Sequence, residues 1–139
     1  MTIYKEIYDL IATTAENAGD REIGGILGAD RAYDVCKAVV DQTQDINWYM
    51  YTPNIDHLNR IINRWQHWRF CGIFHSHLYQ RTLSAADKDY IGDIMMAMPS
   101  DINCLYFPVY VVSENTLYGY KAKRVLNKVI ILEEPVEII

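Results

Sequence analysis

Residues 70–87, FCGIFHSHLYQRTLSAAD, constrain the fold more tightly than any other stretch of the 139-residue chain. FCGIFHSH reads as a strand, LYQRTL as a short loop, and Ser84 stands where a helix can be capped. Side chains alternate across a strand, so His75 and His77 leave one face while Phe74 and Ser76 leave the other. Asp87, three residues beyond the cap, falls in the first helical turn, where the helix dipole and unpaired backbone N–H groups favour its ionised form. Two imidazoles and a carboxylate gathered this way are three ligands for zinc with a fourth position left for water, the pattern of a catalytic site. Each part has a blander explanation. Ser-x-x-Asp is an ordinary helix cap, and a lone strand histidine is more often a hydrogen-bonded core residue. Strand, His-x-His, short loop and a capped helix bearing Asp form a far more specific set. A hydrolytic site also needs a base, and Glu22, just ahead of IGGILG, is the candidate. Taken alone it reads more readily as a solvated carboxylate at a helix end.

Elements on either side complete the pattern. Ile3, Ile7, Tyr8 and Ile11 predict an amphipathic first helix ended by Gly19. EIGGILGAD (22–30), YDVCKAVVDQ (33–42) and NWYMYTP (47–53) predict strands, the first with glycines that admit close backbone approach. Thr52 is expected to cap a helix with Pro53 in its first turn, and Ile55, Leu58, Ile62 and Trp65 to form its apolar stripe as far as about Trp68. Ser84 opens another helix with Tyr90, Ile91, Ile94, Met95 and Met98 inward and Pro99 at its end. CLYFPVYVVSE (104–114), TLYGYKAKRV (116–125) and KVIILEEPVEII (128–139) predict late strands, with EEPVE a solvated terminal segment. This order of helices and strands indicates a two- or three-layer α/β architecture in one domain spanning 1–139.

Composition narrows the function classes. Half of the residues are hydrophobic, enough for a core. The net charge is −5, and the basic run Lys121, Lys123, Arg124, Lys128 is too weak to suggest nucleic acid as a partner. No segment has the apolar length to cross a membrane, and the N-terminus lacks the pattern of a signal peptide. Cys36, Cys71 and Cys104 form no CxxC pair, which suits reduced thiols in the cytoplasm. His57 and His67 have no partner ligand at useful spacing, and Trp65 and Trp68 read as core or sheet-face residues. Tyr79 and Leu78, in the loop beside the histidine strand, are candidates to line a substrate cleft.

Glu22 in EIGGILG, then HSH, then SAAD resembles the JAMM (JAB1/MPN-type) metalloproteases, whose signature is a distant Glu, His-Ser/Thr-His and Ser-x-x-Asp. The resemblance covers most of the chain and is nearest the compact prokaryotic JAB-domain group. It implies an α/β (α+β) fold with a central mixed sheet flanked by helices in a cytidine-deaminase-like layering. It further implies zinc held by His75, His77 and Asp87, Glu22 as general acid/base, and Ser84 supporting the oxyanion or orienting water. The activity implied is hydrolysis of a peptide or isopeptide bond after the C-terminal tail of a ubiquitin-like protein. Alternatives are a hydrolase of small peptide or amino-acid adducts on a sulfur-carrier-like protein, and a non-catalytic MPN-type scaffold. The oligomeric state is left open. Two departures bear on substrate fit: Leu78 stands where the family usually has Pro, and LYQRTL supplies six residues where the family usually has about seven.

Overall fold

The structure, a computed structural model, describes residues 1–42 and 50–139. In chain order its elements are β1 (Thr2–Ile3), α1 (Lys5–Asn17), β2 (Gly24–Ala29), β3 (Val35–Val40), α2 (Ile55–Ile62) and β4 (Arg69–His77). α3 (Ala85–Ala97), β5 (Cys104–Tyr106), β6 (Val109–Val111), β7 (Thr116–Val125), β8 (Lys128–Glu134) and β9 (Glu137–Ile138) follow. Among the described residues the strands form one mixed sheet in the order β5-β7-β6-β4-β2-β3-β1-β9, with β8 added along β7. β4 is antiparallel to β2 on one side and parallel to β5 and β6 on the other. A strand enclosed in this way, with both faces covered, needs a near-continuous apolar run, and β4 is buried from Cys71 to His77.

Alternation sorts the side chains into two cores. Leu27 and Phe74 face α1 and pack with Ile7, Ile11 and Ala15. Ile26 and Ile73 face the other way, against Leu58 of α2 and Ile91, Ile94 and Met95 of α3. Helices therefore cover both faces of the sheet, giving three layers. His75 and His77 share the parity of Ile73, so they lie on the α3 side. Each fully buried aliphatic side chain on α3 contributes about 1.5–3 kcal/mol, which holds the start of that helix close to the end of β4. Gly72 permits the tight approach of β4 to β5, because a Cβ there would run into the backbone carbonyl of Tyr106.

Several local features differ from the expectations. Ile3 lies in β1, and the first helix starts at Lys5; Gly19 follows its end with φ of 69°. α2 is capped by Asn54, whose side chain accepts the backbone N–H of His57, and not by Thr52. It stops at Ile62, because Arg64 and Trp65 turn back onto the carbonyls of Ile61 and Ile62 in a tightened last turn. Trp65 still packs on the core, but from that turn, with Trp68 edge-on at 6.0 Å between ring centroids; Ile55 is exposed. The strand expected over 47–53 falls in part outside the described residues, and residues 50–53 are not a strand. CLYFPVYVVSE is two strands, since Pro108 offers no N–H to a ladder. The terminal segment is not merely solvated: β9 pairs in parallel with β1. Cys36, Cys71 and Cys104 are free thiols, and no helix of the described residues is long and apolar enough to cross a membrane.

Candidate metal centre

The end of β4 and the start of α3 meet at three side chains. His75 Nε2 and His77 Nε2 are 2.9 Å apart, and Asp87 Oδ2 lies 3.1 Å from the second and 3.2 Å from the first. All three residues are buried. Among the described residues no other group of three His, Cys, Asp or Glu side chains gathers its ligand atoms in this way. Ligands about 2.0–2.1 Å from a tetrahedral ion stand ~3.3 Å from one another, so a triangle with these sides suits one small cation.

The hydrogen bonds point the same way. His77 Nδ1 lies 2.7 Å from the carbonyl oxygen of Gln80, which can only accept, so the ring proton sits on Nδ1 and Nε2 offers its lone pair. That lone pair faces a carboxylate oxygen and a second imidazole, an arrangement that calls for a proton or a cation between them. Asp87 is oriented by its helix. Its Oδ2 accepts the Ser84 backbone N–H at 2.9 Å while Ser84 Oγ accepts the Asp87 N–H at 3.1 Å, a reciprocal capping box. Burial pushes the Asp87 carboxyl up, but the neighbouring His75 and His77 imidazoles and the Ser84 N–H outweigh it and hold the group well below the usual carboxylate range. For His77 burial opposes the charge, yet Asp87 and the Gln80 carbonyl more than offset it and raise the pKa.

Glu22 is brought to this cluster by the sheet. Gly24 of β2 is in register with His75, and Ile23 is clamped to the residue between the two histidines. The Ile23 N–H donates to Ser76 Oγ at 2.9 Å, and the Ser76 N–H donates to the Ile23 carbonyl at 2.8 Å. Glu22 Oε1 accepts the Tyr51 backbone N–H at 3.2 Å. The Tyr51 ring fills the space where a Cβ on Gly24 would stand, and its hydroxyl donates to the buried Asp41 at 3.1 Å. Burial raises the Glu22 pKa, partly offset by the Tyr51 N–H and the two imidazoles. Glu22, His77 and Ser84 open together onto a shallow cavity of about 290 Å³, which Leu78 and Tyr79 also line; the Tyr79 side chain is largely exposed. His57 and His67, on and after α2, are not part of this cluster, and His67 is exposed.

Four supporting residues have no prediction behind them. Gln80 acts through its backbone carbonyl and Ser76 through its hydroxyl on a distant strand, which no local pattern reveals, and Tyr51 with Asp41 spans a segment that includes undescribed residues. Tyr90, expected only as a core residue, places its hydroxyl 3.2 Å from His75 Nδ1. Its position three residues after Asp87, on the same helix face, is the signal that could have marked it.

A mixed sheet flanked by helices on both faces, with a His-His-Asp cluster that could hold a metal at the carboxyl end of an interior strand, matches the fold of a JAB1/MPN domain. AF2198, a JAB1/MPN domain protein from Archaeoglobus fulgidus, superposes with a TM-score of 0.57 over 100% of this chain and 99% of its own, at 15% identity. The solution structure of protein DSY2949 from Desulfitobacterium hafniense gives a TM-score of 0.58 over 99% of this chain and 91% of that one, at 19% identity. At these identities the likeness is one of fold. No protein-family model and no curated protein matches the chain.

Proposed function

We propose that this protein is a zinc-dependent amide hydrolase that cleaves a peptide or isopeptide bond after the C-terminal tail of a ubiquitin-like protein. The observation that carries the reading is the convergence of His75, His77 and Asp87 with Glu22 beside one surface cavity, on a JAB1/MPN-like fold. His75, His77 and Asp87 would hold the zinc, which when bound would supply Lewis acidity for a carbonyl oxygen and for the deprotonation of water. Glu22, whose pKa burial raises, is the base that takes a proton from water. As the oxygen of that water bonds to the carbonyl carbon, Glu22 holds the proton, then delivers it to the departing nitrogen when the C–N bond breaks. Ser84 Oγ uses a lone pair on the Asp87 N–H, which leaves its hydroxyl proton free to meet the developing oxyanion. The Gln80 carbonyl keeps His77 oriented throughout.

The cavity is shallow, and Tyr79 stands out over it, so residues next to the scissile bond should be small. Gly-Gly tails satisfy that condition. Matched fusions of a ubiquitin-like protein ending in Gly-Gly or Gly-Leu, analysed by mass spectrometry of the products, test the substrate class. Cleavage directly after Gly-Gly with little after Gly-Leu is the expected result. Equal cleavage of both rejects the narrow-tail reading in favour of a broader peptidase.

A further inference from the structure

His75 is fully buried, so both of its ring nitrogens have to find partners inside the protein. Nε2 belongs to the ligand triangle, and Nδ1 lies 3.2 Å from the Tyr90 hydroxyl. A neutral imidazole carries one proton, and a metal takes the nitrogen that lacks it. For Nε2 to face an ion the proton must sit on Nδ1, and a buried N–H without an acceptor is costly. His77 meets the same need with a backbone carbonyl. For His75 the acceptor comes from α3, the helix that also delivers Asp87, one turn earlier on the same face. The Tyr90 ring is held for this task. It stands edge-on to His75 with centroids 6.1 Å apart at 77°, and against Phe107 at 6.4 Å and 63°.

Resting on the metal-binding reading above, we propose that Tyr90 is a positioning residue for the ion: its hydroxyl oxygen accepts the His75 Nδ1 proton and so turns the Nε2 lone pair toward the metal. A hydroxyl can donate as well as accept, so the same group can satisfy His75 in either tautomer. A carbonyl could not. Tyr90 therefore lets His75 take up and release an ion without leaving a buried nitrogen unpaired, while the Gln80 carbonyl holds His77 permanently in the binding tautomer.

The test is zinc affinity, measured by competition with a chromophoric chelator on the full chain. Tyr90→Phe keeps the ring and removes only the oxygen, and should weaken zinc by about 10–100-fold, the usual effect of losing such an outer partner. Phe107→Leu loosens the bed of the ring but keeps the hydroxyl, so its effect should fall on the melting temperature, with zinc affinity close to wild type. Nitrogen NMR of the zinc-loaded wild type should show the His75 proton on Nδ1. Unchanged affinity in Tyr90→Phe overturns the proposal. So does an equal loss in Phe107→Leu, which would make Tyr90 a packing residue, or a His75 Nδ1 without its proton. A wild type that takes up no zinc overturns the metal reading itself, and this proposal with it. Because uptake is read directly, a result on Tyr90→Phe stands whether or not hydrolysis is found.

Discussion

A carboxylate kept partly buried beside two imidazoles, as Glu22 is, has a cost in stability that follows from the direction of its shift. Its folded pKa lies above the unfolded value of about 4.3, so folding favours the protonated form. The contribution is fully present below that value and is lost as pH rises through the folded pKa. Asp87 behaves in the opposite sense, contributing above about 3.9 and losing that contribution as pH falls toward its depressed folded pKa. Glu22→Gln keeps a carbonyl oxygen for the Tyr51 N–H but never ionises. In the metal-free protein it should therefore melt above wild type at pH 7, with the difference vanishing near pH 4. The same variant should retain zinc and lose hydrolysis by on the order of a hundredfold or more. Thermal melts at the two pH values, with zinc content and rate, check both halves. Loss of zinc would make Glu22 a ligand, and unchanged hydrolysis would leave it a surface carboxylate.

At the scale of elements, one unit sets the site: β4, the loop 78–83 and α3. It was legible in the sequence because each of its signals is local. Alternation gives the shared face of His75 and His77, and Ser84 with Asp87 gives the helix start. α2 was legible in existence but not in extent. Its apolar stripe continues into a turn, and Trp65 reaches the core from outside the helix. The cap role of Ser84 and the oxyanion role proposed for it can be separated. Ser84→Ala removes the cap and should cost about 0.5–2 kcal/mol of stability. It should also slow hydrolysis by on the order of a hundredfold, the effect of losing one oxyanion donor. Ser84→Thr keeps a hydroxyl in both roles and should recover most of each. Denaturant melts alongside rates make the comparison; an alanine variant that is less stable yet equally active would leave Ser84 a cap only.

Across the whole molecule, what the sequence concealed is the long-range pairing that assembles the centre. Glu22 reaches the histidines through the Ile23–Ser76 clamp and the Tyr51 N–H, contacts that join residues 53 and 29 positions apart. β9 closes on β1 from the far end of the chain, where charge and a proline suggested a solvated tail. Neither pairing leaves a periodicity to read, since register between distant strands is decided only when the sheet forms. The family resemblance supplied the link between Glu22 and the histidines that spacing alone did not. Such assembly also means that an ion bound at the cluster would support the fold, because the side chains from β4 and α3 come together only in the folded chain. Elemental analysis of purified wild type and His77→Ala tests this centre most directly. About one zinc per wild-type chain, and little in the variant, is the predicted result; equal zinc in the two proteins would contradict it.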